Sequence, residues 1–181
     1  MSKAVSLKKI GVMVGSISDL PQCEEGLKLL REAEDAGKVE MIVFCVNSIH
    51  RNTEDALKNL HDYTLIFGVE RWIIAAGMAN HLTGTCDAFL RYGMNSEVPV
   101  FGAVFQTKDD VGEINFQTAC RSITQVPGHQ VVFDPDYPLF ADACYKAIEM
   151  EEVIIHSREP KEVKTFSTVD AVLAEIEFMK Q

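Results

Sequence analysis

Five short apolar runs, each followed by a segment of helical spacing, constrain this 181-residue chain more than any other feature. Lys9 to Gly15, Val39 to Val46, Arg71 to Ala76, Val98 to Phe105 and Gln130 to Phe133 read as strands. Asp19 to Gly37 repeats Leu20, Cys23, Leu27, Leu30 and Ala33 at helical spacing and stops on a glycine. Ser18 or Asp19 is placed to cap its start, and Pro21 suits a first turn. A second helix is expected from about Asn52, with Ala56, Leu57, Leu60 and Phe67 on its inner face. Others follow over Asn80 to Tyr92, Val111 to Thr124 and Tyr137 to Met150. Strict strand–helix alternation calls for a parallel sheet, because right-handed crossovers lay helices on both of its faces. The expected fold is α/β, a three-layer, doubly wound parallel sheet of five strands.

The simplest strand order is the flavodoxin-like 2-1-3-4-5, whose switch point lies between the first and third strands, and ligands in such sheets bind at the carboxyl edge there. Met41 to Thr53 shows what that edge would hold. Its apolar half, M-I-V-F-C-V, reads as a strand buried on both faces. Its end brings out Ser48, His50 and Arg51, an anion-holding and proton-moving set. The loop Gly15-Ser16-Ile17-Ser18-Asp19 offers a tight turn, two hydroxyls and a helix N-terminus that suits a phosphate, or else a capped turn. Asp19 can accept from ribose hydroxyls or cap the helix. The stretch Ala75 to Gly84 contains Gly77, Asn80, His81 and Leu82. Its small residues suit close backbone approach to a ring, and equally tight helix–sheet packing. His61 and His156 read as solvated, and His129, after a Pro127-Gly128 turn, has no assigned role.

A net charge of −10 argues against nucleic acid or an anionic membrane as partner. No apolar run reaches the roughly eighteen residues of a membrane span, and Met1 to Lys9 lacks a signal peptide's apolar core. The five cysteines are odd in number and contain no C-x-x-C, which reads as reduced core thiols of a cytoplasmic protein without a metal site. After Met150 the chain turns charged and is broken by Pro160, then closes with an amphipathic helix over Thr168 to Lys180. Val169, Val172, Leu173, Ile176 and Met179 form its stripe, which needs another surface to cover it. The expected division is a core unit, residues 1–150, and a connector with terminal helix, residues 151–181, packing on a neighbouring subunit.

G-S-I-S-D at 15–19, S-I-H-R at 48–51 and A-G-M-A-N-H-L-T-G at 76–84 together resemble the PurE family of purine biosynthesis. The likeness runs from about Ile10 to Met150 and includes Pro99-Val100-Phe101-Gly102 and Gln125-Val126-Pro127-Gly128. That family includes N5-carboxyaminoimidazole ribonucleotide mutase and aminoimidazole ribonucleotide carboxylase. The resemblance implies a flavodoxin-like subunit of a homo-octamer, with no metal, nucleotide or redox cofactor. It implies a phosphorylated aminoimidazole ribotide as substrate, with carbon dioxide as intermediate in the mutase or as substrate in the carboxylase. Carried onto this chain, Ser16, Ser48 and Arg51 would bind the phosphate and Asp19 the ribose. His50 would move the proton, with His81 a second group near the imidazole. Gly15, Ser18, Gly77, Asn80 and Leu82 would complete the binding surface. Ile49 stands beside His50 where the resembling motif has a small residue, and is expected to crowd the cavity. The mutase is the first expectation. A carboxylase using free carbon dioxide, and a non-catalytic or FMN- or nucleotide-binding relative, are the alternatives.

Overall fold

Four parallel strands form the sheet in the computed structural model of the chain, which describes residues 7–107, 112–126, 128–156 and 159–180. They are β1 (Lys8–Val14), β2 (Val39–Val46), β3 (Arg71–Ala76) and β4 (Val100–Val104), in the order β2-β1-β3-β4. The helices are α1 (Glu24–Asp35), α2 (Thr53–Leu65), α3 (His81–Ala88), α4 (Gly112–Thr124), α5 (Phe140–Glu149) and α6 (Val169–Met179). The strands run in register to a common carboxyl edge, where Val14 lies between Val46 and Ala75. That edge is the switch point, since the chain leaves β1 to one side for β2 and returns to the other for β3.

The pleat sorts the core into two layers. Ile10, Val12 and Val14 join Ile73, Phe101 and Ala103 beneath α1 and α5, against Leu30, Phe140 and Cys144. Met13, Trp72 and Ile74 face the other way, against Leu60, Leu82 and Ile123 of α2, α3 and α4. Burying each such large side chain stabilises the fold by about 1.5–3 kcal/mol. Gly11 makes room for its neighbour: a Cβ there would stand 2.7 Å from the Trp72 ring.

Several expected elements differ. Residues 130–133 form no strand, and only Val132 bridges β4, donating to Val100 O at 2.8 Å and accepting from Gly102 N at 3.0 Å. The chain is drawn off on either side of that residue. Gln130 N donates to the Asp87 carboxylate at 2.8 Å, and Asp134 starts a turn by accepting from Asp136 N at 3.0 Å. β2 is not buried on both faces. It is an edge strand, with Met41 and Val46 exposed and Val39 and Cys45 buried. The first helix opens as a tight 3₁₀ segment, Ile17–Cys23, capped by Ser16 rather than Ser18 or Asp19. Phe67 lies beyond the end of α2 and is exposed, not on an inner face. The third helix closes with a wide turn over Phe89–Gly93, and the fifth begins at Phe140, after Pro138. Val111 and Pro127 lie outside the described residues.

Two buried arginines tie the layers together. Arg91 pairs with Asp87 at 3.1 Å and donates to the carbonyls of Ser96 and Val98, which anchors the approach to β4. Arg71, at the amino end of β3, donates to Ala147 O at 2.8 Å and Glu151 O at 3.2 Å, satisfying carbonyls at the end of α5. α6 exposes Val169, Val172, Leu173, Ile176 and Met179. Among the described residues no helix is long and apolar enough to cross a membrane.

Candidate active site

The tips of β1, β2 and β3 open into one cavity of about 450 Å³. This lies within the roughly 300–1,000 Å³ span of small-ligand sites. Every residue singled out from the sequence as a site candidate lines it: Gly15, Ser16, Ser18, Asp19, Ser48, His50, Arg51, Gly77, Asn80, His81 and Leu82. Ile49, Ala76, Met78, Ala79 and Thr107 complete the described wall. Thr107 opens the loop after the fourth strand, which emerges on this same edge. The neighbouring positions 108–111 lie outside the described residues.

The first wall follows from a close approach. Gly15 N donates to Ala75 O at 3.0 Å, and a Cβ on Gly15 would stand 2.9 Å from the Ala76 Cβ. The chain then turns at Ser16, whose hydroxyl accepts from Ser18 N at 3.3 Å and shares a proton with the Ser18 hydroxyl at 2.8 Å. Asp19 N donates back to Ser16 O at 3.1 Å, which sets Asp19 on the cavity. Burial pushes the Asp19 carboxyl above its ordinary range, partly opposed by a backbone hydrogen bond at Ser16.

The second wall is a turn after β2. Ser48 O accepts from Arg51 N at 3.2 Å and Asn52 N at 2.8 Å, so Ser48 and Arg51 are held on one curl of backbone. Ile49 turns inward to the core and is 8% exposed, so it floors the cavity without filling it. Arg51 is exposed, and among the described residues its guanidinium has no hydrogen-bond or ion-pair partner. In a chain of net charge −10 that is a local cation free to receive an anion.

His50 and His81 meet across the cavity. His50 Nε2 lies 3.0 Å from His81 Nδ1, with the rings edge to face at 5.0 Å between centroids. One nitrogen donates and the other accepts, so the pair can pass a proton and tolerates one charged ring, not two.

The third wall is conformationally strained. Met78 (φ 52°) and Asn80 (φ 31°) both lie in the left-handed region, at a cost on the order of 1–3 kcal/mol for a non-glycine residue, less for asparagine. Asn80 is 2% exposed and its amide is engaged internally. Nδ2 donates to Ala103 O at 2.8 Å, and Oδ1 accepts from Thr83 N at 3.2 Å, capping α3. Its side chain therefore shapes the wall, and His81 opens the helix beside it. Outside the cavity, His61 sits on Asp62 at 3.0 Å and His156 is exposed. His129 meets Thr124 O at 3.2 Å through Nε2, while its buried Nδ1 has no partner among the described residues. Burial holds the thiols of Cys23 and Cys86 up at about 12, far from thiolate chemistry.

The chain matches a family model described as AIR carboxylase over residues 9–133. It is 32% identical over 126 residues to a Pyrococcus abyssi (strain GE5 / Orsay) protein named N5-carboxyaminoimidazole ribonucleotide mutase. That match covers 68% of this chain and 62% of the relative, less than two thirds of the relative's length. Crystal structures of a substituted variant of Treponema denticola PurE2 and of Treponema denticola PurE share the fold. Their TM-scores are 0.61 and 0.60, at 14% and 15% identity. The first covers 97% of this chain and 92% of its own, and the second 96% and 92%.

Proposed function

The chain belongs to the AIR carboxylase family, and from that premise we propose that it acts as an N5-carboxyaminoimidazole ribonucleotide mutase in purine biosynthesis. The observation that carries the reading is a cavity in which Ser16, Ser48 and Arg51 stand with a hydrogen-bonded His50–His81 pair. Three hydroxyls (Ser16, Ser18, Ser48) and a guanidinium unpaired among the described residues suit a ribotide phosphate. Asp19 suits the ribose diol, by accepting hydrogen bonds when ionised. Gly15, Gly77 and Ala79 let backbone approach the ring, and Leu82 backs them.

In the proposed reaction the N5 carbamate loses its carboxyl group as carbon dioxide, and N5 gains a proton. C4 of the ring attacks the trapped carbon dioxide, forming the new C–C bond and then losing its own proton. His50 gives the first proton and takes the second, a task an imidazole performs near neutral pH. His81 shares that proton through the 3.0 Å contact. Holding carbon dioxide against the ring is an orientation effect, for which a closed, small-residue wall is suited. The route calls on no metal, nucleotide or redox cofactor. We further propose that the connector and α6 pack on a second copy of the chain, since the stripe of α6 is exposed in the single protomer.

The test is an assay of N5-carboxyaminoimidazole ribonucleotide and of free aminoimidazole ribonucleotide, with and without bicarbonate, beside the His50→Asn variant. The expected result is conversion of the carbamate ribotide without bicarbonate, abolished in His50→Asn while the ligand still binds. Turnover of the free ribotide alone, dependent on bicarbonate, would replace the mutase by the carboxylase. No turnover and no binding of either would overturn both.

A further inference from the structure

We propose that Met78 is a specificity-determining residue whose side chain folds over the aminoimidazole ring of the bound ribotide; this rests on the ribotide reading above. Three large apolar side chains line the described cavity, and they differ in one respect. Ile49 is 8% exposed and Leu82 is 1% exposed, while Met78 is 61% exposed at the mouth. An apolar side chain exposed at the mouth of a cavity gains by covering a ligand that enters it.

The backbone makes the same point independently. Met78 holds φ at 52°, where glycine would be accommodated without strain, so the chain keeps a long side chain at a position that disfavours one. The loop cannot readily relax: Asn80 N donates to Gly77 O at 3.1 Å, and the Asn80 amide is fixed to Ala103 O and α3. Strain held in place by its surroundings at a cavity rim is a pattern associated with ligand clamps.

The location says which part of the ligand Met78 would meet. The anion-holding groups Ser16, Ser48 and Arg51 leave from β1 and β2, whereas Met78 leaves from β3, three positions before His81. It lies on the loop that leads into His81, whose ring meets His50, so it stands with the imidazole pair and the ring end of a ribotide. A thioether is soft and unbranched, and contacts between sulfur and an aromatic ring are favourable. The ligand class this favours is a ribotide with a flat, uncovered heterocycle rather than a bare sugar phosphate.

The test compares wild type, Met78→Gly and Met78→Leu in calorimetric titrations with aminoimidazole ribonucleotide and with ribose 5-phosphate, alongside steady-state kinetics. Met78→Gly is expected to weaken ribotide binding and raise KM by about tenfold, the scale of a lost apolar pocket contact. Its affinity for ribose 5-phosphate and its kcat should stay near wild type, and its Tm should not fall. Met78→Leu should recover most of the ribotide affinity. Unchanged ribotide binding in Met78→Gly, or equal weakening towards both ligands, would overturn the ring contact while leaving the ribotide reading intact. Binding of neither ligand by the wild-type chain would overturn the ribotide reading, and this inference with it.

Discussion

Replacing Asn80 by alanine removes three things at once, and the structure assigns a size to each. The cap on α3, Thr83 N to Asn80 Oδ1 at 3.2 Å, is worth about 1 kcal/mol. The hydrogen bond from Nδ2 to Ala103 O at 2.8 Å adds about 1 kcal/mol net. Alanine at φ 31° costs about 1–2 kcal/mol more than asparagine, which tolerates the left-handed region. The Thr83 hydroxyl is not orphaned, because Ile74 O at 3.1 Å remains as its acceptor. The expected loss is therefore about 3–4 kcal/mol, read from urea midpoints at fixed protein concentration. Asn80→Gly loses the same hydrogen bonds but accommodates the backbone, so it should be less destabilised than Asn80→Ala by about 1 kcal/mol. An Asn80→Ala protein within about 0.5 kcal/mol of wild type, the range of ordinary surface changes, would refute the account. So would a glycine variant less stable than the alanine one.

Two other perturbations probe the site and the terminal helix. Burial raises the Asp19 carboxyl above its ordinary value of 3.8, so its contribution to stability is full below that pH and is lost as pH rises through the raised folded value. Asp19→Asn should accordingly be more stable than wild type near neutral pH, with the advantage disappearing below about pH 4; urea midpoints across pH check this, and a pH-independent difference would contradict it. If α6 packs on a second copy, charges on its stripe, Leu173→Asp with Ile176→Asp, should lower the mass measured by sedimentation. An unchanged mass at micromolar concentration would exclude that packing.

Much of the site's location was legible locally because strand ends announce themselves. An apolar run that gives way to Ser48, His50 and Arg51 tends to leave the sheet there, because a buried guanidinium is costly unless partners are supplied for it, as they are for Arg71 and Arg91. Parallel order then puts every such exit on one edge, which is why residues as distant in sequence as Ser16 and His81 line one cavity. What those side chains do once assembled was not legible. Asn80 looked like a ligand-facing residue, and its amide is instead engaged by Ala103 and Thr83, partners only the fold supplies.

The amino-acid sequence by itself determined the alternation of strands and helices, the parallel sense of the sheet and the edge on which polar residues collect. Those follow from periodicity and from the cost of burying charge, both readable within a dozen residues. The tertiary structure alone decided that residues 130–133 pair with the sheet backbone only through Val132, because Asp87 takes the Gln130 N–H. It alone buried Arg91 on Asp87, carried Arg71 to the end of α5 and left β2 half-covered at an edge. Each of these depends on a partner remote in the chain or on which elements lie outermost, and neither leaves a local mark in the order of residues.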